Sequence, residues 1–271
     1  MPVELPAPDR TVLENAPLAL VVCQVRFDIR ETLTEGRVAR RFFDRLGGAA
    51  GPFPKLSQLR AQTVTINMQP LPGQSPSTDE QRGWRFSSAD GACHVTLLPD
   101  SLALETTAYR SWDEFAPHLE RTLTVLGDEV DPAIEERLGL RFVNVILLDD
   151  VREPAGWVDY IQPDFLAPAR HPTLGAGLTG AHHRITLGLG DELRCLLNYG
   201  LSPDPSNPQR TGYLVDLDTY REPSGPFEAA DVFKMAAVMN DRNVSLFQQV
   251  VTPKLRALLR GGGKSDEGER T

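Results

Sequence analysis

The chain has 271 residues, 41% of them hydrophobic and 24% charged, which is the balance of a folded protein with one large or two small domains. Its formal net charge is −9, so a nucleic acid would have to meet a local basic patch, and no Lys/Arg-rich run of the needed length is present. These features predict that the protein has no nucleic-acid partner.

Membrane and export functions are disfavoured by the same first inspection. No stretch approaches the roughly 18 continuous apolar residues that span a bilayer, and the amino-terminal residues do not combine a basic region with an apolar one. Three cysteines without a secretory leader are typical of reduced thiols. We therefore expect a cytoplasmic protein that does not contact a membrane.

The first elements alternate between a strand and a short helix. Residues 1–10 are rich in proline and predict a disordered tail. Leu18–Phe27 alternates apolar and polar residues beyond Val21, as a half-buried strand does. Residues 34–46 carry apolar side chains at a spacing of four, which predicts an amphipathic helix across the sheet.

Further strands and a longer helix complete the first half of the chain. Strands are predicted at residues 61–68, 84–88, 93–98 and 102–109. The proline-rich and polar residues 69–83 predict a long loop. Ser111 and Glu114 match a capping box, so a helix is expected to begin there and to end near Gly127.

The second half repeats this order. It predicts a strand at residues 138–148, a short helix at 157–165, three strands at 181–189, 193–199 and 213–220, and a helical stretch at 228–260. Pro253 lacks a backbone N–H, so this stretch should break at Thr252 and Pro253.

Two pseudo-repeated β-α-β(3–4)-α halves, residues 11–130 and 131–260, therefore predict an α+β fold. In this fold one curved antiparallel sheet would be covered on one face by long helices. Residues 261–271 are expected to be a second disordered tail. The order of elements is similar to that of TATA-binding-protein-like and GyrI-like proteins, although fold alone does not give function.

Three motifs carry a resemblance to a family. The first consists of Leu13, Ala16, Pro17, Leu18, Val21, Val22, Gln24, Val25, Arg26 and Phe27. The second is the run GLRFVN at residues 139–144, and the third comprises Phe247, Thr252, Leu255 and Arg256. Through these motifs the chain resembles a sporadically distributed family of bacterial proteins of about this length, to which no activity is assigned. The resemblance implies the boundaries above and a cytosolic location, and it implies no mechanism.

Several motifs that suggest chemistry lie in the wrong context. The glycines of residues 175–180 have dinucleotide-loop spacing, but they follow a proline-rich loop and precede a strand. Residues 263–265 resemble the end of a phosphate-binding loop without its first glycine. His182 and His183 would point to opposite faces of a strand, and no cysteine begins a helix. We therefore expect no cofactor, no metal site and no activated nucleophile.

The remaining candidate site is the polar face of the predicted sheet. Its residues are Gln24, Arg26, Glu105, His182, Arg184, Asp216 and Asp218. They are explained either by an ordinary solvated sheet face or by a concave surface that binds a ligand. In the second case Asp216 and Asp218 could titrate high enough to act as an acid or base.

Three functions remain open at this point. The leading one is a binding or adaptor protein that holds a small molecule or a protein partner on the sheet face or edge, with a homodimer left open. The second is a cofactor-independent enzyme with acid and base groups on the polar face. The third is an accessory or regulatory subunit encoded in a defence or biosynthetic operon.

Overall fold

Ten antiparallel strands and four α-helices make up the part of the chain that the computed structural model describes, namely residues 2–65, 77–151, 153–204 and 207–261. The strands are β1 (Leu18–Phe27), β2 (Lys55–Thr65), β3 (Ser77–Ser87), β4 (Cys93–Leu98), β5 (Ser101–Thr106), β6 (Ile134–Ile146), β7 (His183–Gly190), β8 (Leu193–Asp204), β9 (Asn207–Arg221) and β10 (Gly225–Pro226). The helices are α1 (Gly36–Arg45), α2 (Trp112–Val130), α3 (Ala229–Val250) and α4 (Pro253–Leu259).

The strands form one sheet in the order β2-β3-β4-β5-β1-β6-β9-β8-β7, and the short β10 pairs with β6. Strands β1 and β6, which open the two halves, pair antiparallel at the centre of this sheet. On each side the last long strand of the half, β5 or β9, lies next to its first strand. The α+β class with one large antiparallel sheet is thereby confirmed.

The sheet has one face under helices and one open face. Along β1 the side chains of Val21, Val25 and Phe27 are at most 2% exposed, whereas Gln24 is half-buried and Arg26 is exposed. This period of two follows from the pleat of a strand. The apolar side chains under the helices form the core of the described residues.

Helix α3 is held on the sheet by hydrogen bonds as well as by apolar contacts. The Asn243 amide donates to the Leu140 carbonyl of β6 at 2.9 Å, and Thr219 of β9 donates to Asn243 Oδ1 at 2.6 Å. All three residues are buried, and a buried polar group is costly unless it is paired. These bonds therefore set the position of α3 across β6 and β9.

The hairpin of β2 and β3 differs from the sequence prediction. β2 begins at Lys55 rather than at residue 61, and the predicted loop 69–83 overlaps β3, which pairs with β2 from Ser87 back to Ser77. Residues 69–76 of that loop lie outside the described residues. Residues 77–82 are all polar, so this strand lacks the apolar alternation on which the prediction depended.

The short helix predicted at residues 157–165 is replaced by two 3-10 segments, Pro154–Asp159 and Pro163–Phe165. A proline begins each segment, and Pro163 has no N–H to continue the preceding turn. The apolar side of the prediction is correct, since Trp157, Tyr160 and Ile161 are buried. The long carboxyl-terminal stretch breaks where predicted, between α3 and α4.

The amino-terminal residues 2–10, expected to be a tail, lie against the fold. The Val3 N–H donates to the Gly188 carbonyl of β7 at 2.8 Å, and Ser245 of α3 donates to the Pro6 carbonyl at 2.8 Å. Leu5 also packs against the core, so hydrogen bonds and an apolar contact together hold this segment on the fold. Residues 262–271, with the glycine-rich motif at 263–265, lie outside the described residues.

No helix within the described residues combines the length and the apolar composition that crossing a bilayer requires.

Candidate functional site: an open charged face and a cavity beneath the amino-terminal segment

The open face of the sheet carries six of the predicted site residues. They are Gln24 and Arg26 on β1, Glu105 on β5, Arg184 on β7, and Asp216 and Asp218 on β9. The seventh, His182, is exposed and directly precedes β7. His183, the first residue of this edge strand, is half-buried and stacks on Tyr199 with ring centroids 5.0 Å apart.

Asp216 is bound by an arginine of the neighbouring strand. Arg141 of β6 donates through Nε and Nη2 to the two carboxylate oxygens at 2.7 and 2.8 Å, and Asn198 of β8 donates to Oδ2 at 3.1 Å. The Asp216 side chain is only 6% exposed, and these hydrogen bonds raise the pKa of Arg141 above its usual value. Asp216 is therefore neither a solvated carboxylate nor half of a carboxylate pair.

Asp218 has an arginine of its own. Arg137 Nη2 lies 2.9 Å from its Oδ2, and the guanidinium lies over the Tyr220 ring at 4.9 Å. Gly139, which follows on β6, leaves the space for this side chain, since a Cβ there would lie 2.5 Å from Arg137 Nη1. The pairs Arg137–Asp218 and Arg141–Asp216, together with Arg85–Glu105 at 3.3 Å, are called here the charged ladder.

The carboxylates of the charged ladder are spread across the sheet and do not form one cluster. Glu105 and Asp218 are separated by three strand spacings, about 14 Å, because β1 and β6 lie between their strands. His182 lies beyond β8, at the outer edge of the sheet. The acid and base residues named from the sequence therefore do not form one catalytic set.

The cysteines also lack the chemistry of nucleophiles. Burial raises the pKa of Cys23 to about 12 and the pKa values of Cys93 and Cys195 to about 11, so all three are protonated thiols at neutral pH. None of them forms a disulfide. Among the described residues, no group of three His, Cys, Asp or Glu side chains is arranged to hold a metal ion.

A cavity of about 430 Å³ lies on the other side of the sheet, at one end of the helix layer. Its walls are residues 9–13 and 16–18 of the amino-terminal segment, residues 109–113 at the start of α2, one side of α3, and Arg256 of α4. None of the seven residues predicted from the sequence lines this cavity. The cavity and the predicted polar face therefore lie on opposite sides of the sheet.

Aromatic side chains line one wall of the cavity. Tyr109 packs against Phe142 of β6 and Phe115 of α2, with ring centroids 5.4 and 5.8 Å apart. Its hydroxyl donates to Asn240 Oδ1 on α3 at 3.2 Å, and burial, with a smaller contribution from the charge of Asp113, raises its pKa. Trp112 continues this wall toward α3. The wall is largely aromatic, and Tyr109 and Asn240 contribute polar groups to it.

The amino-terminal segment closes the cavity through polar contacts with α3 and α4. Arg10 forms an ion pair with Asp241 at 2.6 Å, and Gln248 accepts from the Asp9 N–H at 3.1 Å and donates to the Asp9 carbonyl at 2.7 Å. Arg260 pairs with the Asp9 carboxylate. These contacts are exposed, so each contributes little free energy and the segment is held by their sum.

The residues around the cavity include members of all three sequence motifs. They are Leu13, Ala16, Pro17 and Leu18 of the first, Phe142 and Asn144 of the second, and Phe247 and Arg256 of the third. The sequence does not predict that the three motifs lie close together in the fold, because the residues that meet at the cavity are more than 100 positions apart in the chain. The shared membership in these motifs is the signal that could have located the cavity.

The sequence was compared with protein-family models and with curated proteins. No protein-family model matches the chain, and no curated protein matches it significantly in sequence.

Proposed function

We propose that this protein is a non-enzymatic binding protein of the bacterial cytosol, which holds a small and largely apolar molecule in the cavity beneath its amino-terminal segment. The single observation that supports the proposal is the cavity itself. Ligand sites are typically clefts of about 300–1,000 Å³ with apolar and aromatic walls and a few polar groups. The volume of about 430 Å³ and the wall of Tyr109, Trp112 and Phe142 fit this description.

The charged ladder supports a structural role for the open face instead. Its arginines and carboxylates bond to one another, so a ligand there would have to compete with existing ion pairs. An enzyme acting on this face would need an unpaired acid or base close to a second reactive group. The cavity is therefore the better candidate for binding.

Binding of the neutral dye Nile red tests the proposal. We expect saturable, blue-shifted fluorescence with one dye per chain, because the dye would enter an apolar and water-poor site. Ala237 is a half-buried residue of α3 that lines the cavity, so Ala237→Trp should fill part of the space and weaken dye binding about tenfold or more.

The matched control is Ala116→Trp, which changes a half-buried alanine of α2 outside the cavity and should leave dye binding intact. Wild-type protein without saturable dye binding, or equal binding by Ala237→Trp and wild type, would contradict the proposal. Circular dichroism of both variants checks that they remain folded.

A further inference from the structure

The charges around the cavity are not balanced. Four arginines and three aspartates line it, namely Arg10, Arg110, Arg256, Arg260, Asp9, Asp113 and Asp241. Two of the arginines are neutralised, since Arg10 pairs with Asp241 and Arg260 with Asp9. Arg110 and Arg256 form no ion pair with any described residue, and Asp113 is exposed in the first turn of α2. A positive excess therefore remains at the cavity of a protein whose net charge is −9.

Arg256 is distinctive within this set. Its Nε is buried and has no hydrogen-bond partner among the described residues, in contrast to the great majority of buried polar groups. Three other described arginines share a buried Nε without a partner, namely Arg30, Arg85 and Arg210. Each of those guanidinium groups forms an ion pair with a nearby carboxylate, whereas that of Arg256 does not.

From these observations, and resting on the proposed function, we infer that the ligand is a small amphipathic anion whose acidic group binds Arg256 and whose apolar body lies against the aromatic wall. A carboxylate or a similar oxyanion would accept from the Arg256 guanidinium in a charge-assisted bond, since Arg256 lines the cavity and forms no ion pair with a described residue. Arg110, an exposed residue that also lines the cavity, adds a second positive charge.

The negative charge of the whole molecule does not decide against such a ligand. At physiological ionic strength the Debye length is about 8 Å, so distant surface carboxylates are largely screened. The charges that line the cavity act most strongly on the acidic group. Among the described lining residues, those outside the two ion pairs are Arg110, Arg256 and Asp113, which leave one net positive charge. The whole-molecule field is expected to slow association more than it weakens the final complex.

Displacement of bound Nile red by decanoate and by decan-1-ol tests the inference, because the two compounds share a chain length and differ in charge. We expect decanoate to displace the dye from the wild-type protein at a concentration about tenfold lower than decan-1-ol, as befits a hydrogen bond to a charged group. Arg256→Gln should remove this preference, while decan-1-ol should bind as before.

Arg242→Gln is the matched control, since it removes the same charge from a half-buried arginine of α3 that does not line the cavity. It should keep the preference for decanoate. If Arg256→Gln does not fold, a salt titration of the wild-type protein replaces it: added NaCl should weaken displacement by decanoate and not by decan-1-ol.

Equal potency of the two compounds on the wild-type protein, an unchanged preference in Arg256→Gln, or a salt-independent preference would overturn the inference. Failure of both compounds to displace bound dye would overturn it as well. A protein that does not bind Nile red saturably would instead contradict the proposed function, so the two failures are distinguishable.

Discussion

The pair Arg141–Asp216 predicts that two substitutions in one ion pair have unequal effects. The Asp216 side chain is 6% exposed, whereas that of Arg141 is 48% exposed. Arg141→Met leaves a buried carboxylate with one remaining hydrogen bond, from Asn198. Asp216→Asn leaves a guanidinium that water can still solvate. The free energy of unfolding should therefore fall more in the first variant than in the second.

The magnitudes follow from the burial of the group that is left behind. A buried charge that loses a bidentate partner costs about 2–3 kcal/mol, so this is the expected loss in Arg141→Met. The loss in Asp216→Asn should be about 1 kcal/mol, because a neutral amide still accepts one hydrogen bond. With the double variant, the cycle should give a coupling energy of about 1.5 kcal/mol.

Urea unfolding at neutral pH, followed by circular dichroism, measures these quantities if the denaturant slope is unchanged. The exposed pair Asp231–Lys234 on α3 is the matched control, with side chains 66% and 75% exposed, and its coupling should be below about 0.5 kcal/mol. Equal losses in the two single variants, or a coupling as small as that of the control, would refute the assignment of Asp216 as a buried member of the charged ladder.

Two other perturbations test the fold. Gly200 of β8 has a φ of +144°, and a Cβ there would lie 1.8 Å from the Ala181 carbonyl oxygen. In urea unfolding, Gly200→Ala should therefore destabilise the protein by about 2 kcal/mol or more. The control is Gly91→Ala, where a Cβ would meet open space, and a smaller loss in Gly200→Ala than in this control would contradict the prediction. Burial, with a smaller contribution from the charge of Arg121, lowers the pKa of His118 from its usual value of 6.5. Because His118 binds a proton less readily in the folded than in the unfolded state, the free energy of unfolding should decrease as the pH falls below 6.5. His118→Gln should flatten this decline in the pH dependence of the urea midpoint, and an unchanged slope would show that His118 does not contribute to it.

The sequence predicted the layers of the fold better than its turns. Alternation along β1 placed Val21 and Val25 under the helices and Gln24 on the open face, as observed, because a period of two is a direct consequence of the strand pleat. The same reasoning missed residues 77–82 of β3, which are all polar and pair with β2, whereas the strand predicted at residues 84–88 coincides with the end of β3. It also read one helix where prolines divide residues 154–165 into two 3-10 segments.

For the polar face, the sequence predicted which residues share one side of the sheet but not which partners they bind. The polar face was identified correctly as a face, but whether Asp216 is solvated depends on Arg141, which lies 75 positions away in the chain and on the adjacent strand. The same applies to the cavity, whose walls come from both ends of the chain. Local pattern carries no information about such pairings, because they depend on strand order and register.

Sequence alone therefore determined the α+β class and the sidedness of the sheet, since both are set by spacing within a few residues. Tertiary structure decided that Glu105, Asp216 and Asp218 of the open face pair with arginines and that the amino-terminal segment lies on α3. It also decided that Arg256, beside a cavity, forms no ion pair with any described residue. These features arise from long-range packing, in which each group's electrostatic environment is set by residues distant in the chain.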